Sequence, residues 1–542
     1  MDSVATTTPR TSFTDHPLEL FLPTNTTTTL VDHPSIDNNN TRAVHTIHVA
    51  ALRHNYQCVV DAAAQQHCTV MCVVKADGYG HGAAETAQIL EQADAFAVAT
   101  LEEAQTIRAV RPQVQLLVLG APVGVPQCFT TYCHQSIDVM ISGPEVARAV
   151  LVWIANAQER RRNAVAQAAS QTKAEAWNTS LRPQQKKAQS STLGNVSGQD
   201  LANEVRLILQ QQQRERVAAA AEQQERLSEK AKSETASRAS DLSSDAGPFP
   251  LPNDPPLPLQ NNKRLRWYAL IDSGMGRLGF KADDPATVDI LLELVQAEMQ
   301  ADSPIQFCGI CTHMAEAMNA SYSTSQMDKF TSLLSKVRDA GIHIPTVSTD
   351  NSAALLNPNL RHFEHHRPTL LADEGTGLCR IGGALYGQRP AFTQLRPAST
   401  VTASVRHVAT LQANESVGYD RAYVATRAVR IATLAMGFAD GYPRELGNGR
   451  GRVAIRGNVY PVVGNVCMDM LMVELGGANE TNTTEENDID GVVVVGDTAI
   501  LWGPSEDGEH LVRLADLAEQ LKTTQSALTC GLNRSRVIRK YI

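Results

Sequence analysis

From about residue 41 onward, apolar runs of strand length alternate with stretches of helical period. Thr69–Lys75 (TVMCVVK) is a continuous apolar run, the pattern of a strand buried on both faces. Ala50–His67 and Gly82–Ala93 read as helices on either side of it. The alternation continues through Ala95–Ala99, a helix reaching Arg108, Gln115–Leu119 and Asp138–Ile141. It resumes at Trp267–Ile271, Ile305–Thr312, Pro345–Ser348 and Arg380–Tyr386. Eight candidate strands with helical segments between most of them call for parallel pairing through right-handed crossovers. The α/β pattern therefore predicts a closed (β/α)8 barrel of the TIM type rather than an open sheet.

The rhythm changes past about 391. Short alternating runs (TVTASV, GRVAIRG, NVYPVVG) punctuated by Gly, Asn and Asp predict a β-rich C-terminal domain over 391–542. Residues 1–40 are rich in Thr, Asn, Asp and Pro and read as a flexible tail. The barrel, over 41–390, is interrupted at about 158–263 by a segment rich in Gln, Ala, Ser and charge, ending in a proline cluster. It contains one helical stretch near 202–232 but no apolar stripe wide enough for a core, and reads as a surface insertion. A polar loop near 478–490 breaks the C-terminal domain.

Composition narrows the function. A net charge of −9 without any basic block argues against a nucleic-acid partner. No run of eighteen apolar residues is present, so no membrane span is expected. The ten cysteines, several inside apolar runs, suggest reduced thiols and a cytoplasmic protein. Cys308 and Cys311 lie in a predicted strand, where residues three apart point to opposite faces, and no second pair follows. No metal site is expected.

The sharpest local feature is Val74-Lys75-Ala76-Asp77-Gly78-Tyr79-Gly80-His81-Gly82. A lysine follows an apolar strand directly and precedes a glycine-rich turn. The C-terminal strand ends of a parallel barrel hold its chemistry. A lysine partly desolvated there has a lowered pKa and a free amine that can form a Schiff base. The same pattern also describes a strand-end lysine reaching solvent before a turn, and spacing does not separate the two.

Here the chain resembles the alanine racemase family. Lys75–Gly82 looks like that family's pyridoxal-phosphate motif. The similarity continues in order through Asp272–Gly279 (DSGMGRLG), Thr312-His313, Asn351-Ser352-Ala353 and Arg380–Gly387 (RIGGALYG). Val417-Gly418-Tyr419, Gly437–Tyr442 (GFADGY) and Cys467-Met468-Asp469 complete it. The resemblance implies a barrel plus a β domain, the cofactor pyridoxal 5'-phosphate, and interconversion of L- and D-alanine by two proton-transfer groups. Lys75 would hold the cofactor and exchange a proton on one face of the substrate Cα, and Tyr419 on the other. His313 would stack near the pyridine ring, and Arg380 would face the pyridine nitrogen. Tyr79, Ser352, Gly382 and Gly383 would hold the phosphate. Arg277 would reach the cofactor's phenolic oxygen or the substrate carboxylate, and the backbone N–H of Met468 would contact the carboxylate. Tyr419 and Met468 would come from a partner subunit, so a homodimer with shared active sites is implied.

Three positions depart from the family pattern. Leu270 stands where many members carry a carbamylated lysine that orients the arginine. Phe438 replaces a tyrosine near the entrance. Ser526 stands where alanine racemases usually have a tyrosine that lines the pocket and touches the phosphate, which keeps serine or a broader set of amino acids open as substrates. A non-catalytic cofactor-binding homologue is the alternative of a different class. The single-domain barrels of that kind lack the C-terminal β domain, and with it Tyr419 and Met468.

Overall fold

The computed structural model describes residues 42–122, 128–188, 263–300, 302–358, 362–372, 375–477, 492–504 and 512–542. It divides into two compact units, Ala50–Arg396 and the segment ending at Val49 together with Pro397–Ile542.

Within the first unit, eight strands pair in parallel to close a barrel: Cys68–Val73, Ala95–Val98, Gln115–Val118, Asp138–Ile141, Leu265–Asp272, Ile305–Thr312, Thr346–Ser348 and Thr376–Ile381. Arg380 pairs with Met71 to join the last strand to the first, and Val139 with Trp267 to bridge the inserted segment. A buried interior of Met71, Ala97, Leu117, Met140, Tyr268, Leu270 and Leu378 fills the ring. Most positions on both faces of these strands are buried, which is why several of them read as apolar runs.

The outer helices follow from caps and periodicity. Thr100 accepts the Glu103 N–H to start Leu101–Val110, and Asn319 accepts the Tyr322 N–H to start Ala320–Asp339. The latter turns Met327, Phe330, Leu334 and Val337 inward at helical spacing.

The last barrel strand is earlier than expected. It ends at Ile381, and Gly382–Gly387 form turns closed by Leu385 N–H to Gly382 O and Gly387 N–H to Ala384 O. The apolar residues Ala384, Leu385 and Tyr386 are buried without being in a strand. An apolar run alone does not separate the two cases.

Ala43–Ile47 falls in the range assigned to the barrel, yet it belongs to the second unit. It pairs antiparallel with Ser399–Leu411 (Ala43 with Ala403) and parallel with Ile538–Tyr541. Its alternating burial is that of a half-buried strand rather than a barrel stave. The helix Pro144–Ala188 packs Val150, Trp153 and Ile154 inward, and continues past 158 into the expected insertion. The predicted helical stretch near 202–232, the proline cluster, the N-terminal tail and the 478–490 loop lie outside the described residues.

The second unit is a largely antiparallel sheet built on Ser399–Leu411, Val429–Leu434, Leu471–Gly477, Asn458–Val463, Arg452–Ile455 and Thr498–Trp502. Val401, Leu434, Tyr442, Leu501 and Trp502 lie in its core. Asp440, fully buried, takes Arg42 at 3.1 Å on one carboxylate oxygen and Arg536 at 2.7 Å on the other. One charge thus ties both flanks of the unit to the Gly437–Tyr442 turn.

Candidate active site

The backbone leaves the first barrel strand into an unusual turn. Ala76, Asp77, Gly78 and Tyr79 all have left-handed φ, at 53°, 51°, 62° and 55°. Each non-glycine residue there costs on the order of 1 kcal/mol or more, so the surroundings must impose the shape. Glu103 does much of this. One of its oxygens accepts the Ala76 N–H and the other the Ala99 N–H, both at 2.7 Å. Asp77 accepts the Ala83 N–H at 2.9 Å and closes the far side. The turn sets Lys75 at the mouth of a cavity of about 250 Å3.

Lys75, Tyr79, Arg277, His313, Ser352, Arg380, Gly382 and Gly383 all line this cavity. They come from the C-terminal ends of the strands or the loops that follow, where a parallel barrel places its chemistry. Four lining residues carry basic side chains (Lys75, Arg277, Arg380 and Arg389), and none of the lining residues is a carboxylate. The cavity is therefore built for an anion.

Arg380 is almost fully buried. Its guanidinium donates to the Ser348 hydroxyl and to the Thr312 carbonyl at 2.5 Å, and its backbone N–H reaches the Asp350 carbonyl at 3.0 Å. These acceptors orient the charge without neutralising it. The nearby Asp350 is pushed up to about 6 by burial, against the pull of the Thr349 hydroxyl, the Phe363 N–H and Arg380. Burial, followed by the charges of Arg380, Arg277 and Lys75, holds His313 down at about 3. Its imidazole is neutral at any ordinary pH.

The opposite wall is made of small groups. The Ser352 hydroxyl accepts the N–H groups of Gly382 at 3.2 Å and Ala384 at 3.3 Å. This leaves the hydroxyl proton to donate elsewhere. A Cβ at Gly382 would collide with the Tyr79 hydroxyl, and one at Gly383 would lie 2.6 Å from the Arg389 guanidinium. Close approach rather than backbone angle favours glycine at both positions, more strictly at Gly382, where the Tyr79 ring itself is in the way. Asp272 shapes the loop carrying Arg277, accepting from Gly274 N–H at 3.0 Å, Gly276 N–H at 2.9 Å and the Lys281 ammonium. Burial pushes its carboxyl up, but these donors outweigh it and leave it below the usual range.

Tyr419 and Met468 belong to the second unit and are exposed, at 68% and 61%. Tyr419 follows Gly418, where a Cβ would lie 2.8 Å from the Met472 methyl. Asn465 holds the loop by donating to the Tyr419 carbonyl and the Asp420 carboxylate. The Gly437–Tyr442 turn supports Met468. Ala439 N–H donates to the Met468 carbonyl at 2.8 Å, and any Cβ at Gly437 would strike the Cys467–Asp469 backbone. Sequence reasoning missed Arg389 and Glu103. A charge two residues past Gly387, beside the glycine-rich turn, was the available signal for the first.

The description "alanine racemase, N-terminal domain" matches residues 47–167 and 201–390, and "alanine racemase, C-terminal domain" matches 398–541. The chain belongs to the alanine racemase family. Alanine racemase 2 of Caldanaerobacter subterraneus subsp. tengcongensis is 30% identical over 290 residues, 52% of this chain and 66% of that one. Alanine racemase 2 of Bacillus subtilis is 34% identical over 289 residues, 52% of this chain and 64% of that one. The chain thus spans slightly less than two thirds of the length of these relatives. The structure of alanine racemase from Bartonella henselae with covalently bound pyridoxal phosphate shares the fold, with a TM-score of 0.59 at 21% identity over 93% of this chain and 100% of that one.

Within the alanine racemase family pattern, Leu270 is an apolar cavity wall. The ring of Phe438 has the Arg444 guanidinium 6.0 Å from its centre. Ser526 is half-buried and shares a 3.1 Å hydrogen bond with Thr524.

Proposed function

We propose that this protein is an amino-acid racemase that interconverts L- and D-alanine with pyridoxal 5'-phosphate as cofactor. The observation that carries the reading is Lys75, an amine set by a strained turn into a cavity lined by bases and no carboxylate. The cavity suits the cofactor in several respects. Tyr79, the Ser352 hydroxyl and the Gly383 N–H offer donors for a phosphate, and Arg380 offers a fixed charge for the ring nitrogen. The alanine racemase names of the relatives and the cofactor named in the Bartonella structure support the same assignment.

When bound, the cofactor draws electron density from the substrate Cα and makes its proton removable. Lys75 then takes or returns that proton on one face. Tyr419 of the partner subunit does so on the other, since inversion requires a group on each side. Neutral His313 gives no competing positive charge and is suited to assist the phenol through hydrogen bonding. Arg380, always protonated, keeps a proton off the ring nitrogen, which favours simple return of the proton to Cα over group transfer. Arg277 and the Met468 N–H of the partner bind the carboxylate. The exposure of Tyr419 and Met468 supports a homodimer, because both side chains lie open on their own unit. No helix among the described residues is long and apolar enough to cross a membrane, and the buried free cysteines suit a reducing cytoplasm.

Ser526, at the position where the family usually carries a tyrosine, keeps serine open as a second substrate. Incubation with L-alanine and L-serine separately in deuterium oxide distinguishes these readings. D-alanine carrying α-deuterium is expected to form faster than D-serine. Equal rates would remove the alanine preference, and no exchange with either would reject racemisation.

A further inference from the structure

We propose that Arg389 supplies the fixed positive charge that holds the cofactor's phosphate. This rests on the reading above that the cavity takes pyridoxal 5'-phosphate. Arg389 lines the same cavity as Tyr79, Ser352, Gly382 and Gly383. Its guanidinium lies against Gly383 closely enough that a Cβ there would sit 2.6 Å from Nη1, 2.8 Å from Cζ and 3.0 Å from Nη2. The glycine thus makes room for this side chain as well as for a ligand.

One N–H of the guanidinium donates to the Gln388 carbonyl at 2.7 Å, which fixes the direction of the plane. The remaining donors of the fork are available to an acceptor. No described carboxylate pairs with Arg389; Gly383 and the Tyr79 phenol lie beside it, and Ser352 lines the same cavity. Burial disfavours the charge, lowering the pKa of Arg389, with the Tyr79 phenol opposing that effect. A guanidinium still remains protonated under such conditions. A half-buried cation without a described counter-ion, in a cavity that holds other cations and hydroxyl donors but no carboxylate, is the arrangement a dianion completes. Tyr79, Ser352 and the Gly383 N–H supply direction, and Arg389 supplies the compensating charge.

The test compares pyridoxal 5'-phosphate with pyridoxal, which lacks the phosphate, in titrations followed by the visible absorbance of the bound cofactor. Arg389→Met is expected to raise the Kd for pyridoxal 5'-phosphate about 30-fold, the scale of a lost charge-assisted contact, and to change that for pyridoxal less than about twofold. Inorganic phosphate should compete with the phosphorylated cofactor in the wild type, and several-fold less well in the variant. Arg389→Lys, which keeps the charge but not the fork, should fall between them and decides the matter if Arg389→Met melts early. Equal weakening of both cofactor forms, or of neither, overturns the assignment to Arg389 while leaving the racemase reading intact. A wild-type protein that takes up no pyridoxal 5'-phosphate overturns both.

Discussion

Lys75 and Tyr419 sit on two kinds of ground. Lys75 leaves a barrel strand through consecutive left-handed residues, pinned by Glu103 and Asp77, and lines the cavity at the end of the barrel. Tyr419 also adjoins left-handed residues, Asp420 and Arg421, but lies on an exposed ledge with two thirds of its surface open. One group has its environment supplied by its own unit, and the other presents chemistry outward. The difference separates what each group does for the fold from what it does for the reaction, and variants can pull these apart.

The largest effects fall on the pair itself. Lys75→Ala should abolish both the visible band of the bound cofactor and all turnover, and an unchanged spectrum would place the cofactor elsewhere. Tyr419→Phe should keep the band while racemisation drops about 10²–10⁴-fold, the usual worth of a positioned acid–base group. Because Tyr419 is exposed, its stability should stay within about 0.5 kcal/mol of the wild type. A variant that retains turnover in both directions would remove Tyr419 from the mechanism.

A smaller effect is expected one step behind Lys75. Glu103→Ala removes the acceptor shared by Ala76 and Ala99, and should cost about 2 kcal/mol in urea denaturation. It should also weaken cofactor uptake, although Glu103 does not line the cavity. No loss of either would mean that the left-handed turn holds itself. No matching anchor is expected at Tyr419, where Asn465 supplies ordinary hydrogen bonds.

The smallest effect is electrostatic. His313, held down at about 3, stays neutral in the folded protein, while in the unfolded chain it takes up a proton below about 6.5. The unfolded state therefore binds more protons as pH falls from about 6.5 toward 3, and stability is lost in that window. Between pH 7.5 and 5.5 the cofactor-free wild type should lose about 1 kcal/mol more than His313→Asn. Parallel stability profiles would show that His313 is not buried among charges as described.

Much of this was legible in the chain. Strands buried on both faces leave apolar runs, and each of the eight expected strands overlaps an observed one, the last lying several residues earlier than its apolar run. Lys75, Arg380 and the glycine wall sit in recognisable motifs. Arg389 and Glu103 were not legible because their roles depend on contacts across space. Arg389 reaches the cavity by folding back over Gly383, and Glu103 becomes a clamp where two strand ends come side by side. Ala43–Ile47 was misplaced because a strand's pattern says how it is buried, not which sheet will take it.

The strand Ala43–Ile47 also sets an order of assembly. It lies between Ser399–Leu411 and Ile538–Tyr541, so its neighbours emerge from the ribosome only after the whole barrel sequence. Until then its hydrogen-bonding edges stay open to any other strand, and the buried Asp440 lacks one or both of its arginines. The second unit is therefore completed only after the barrel sequence between its first strand and its remaining strands has been made.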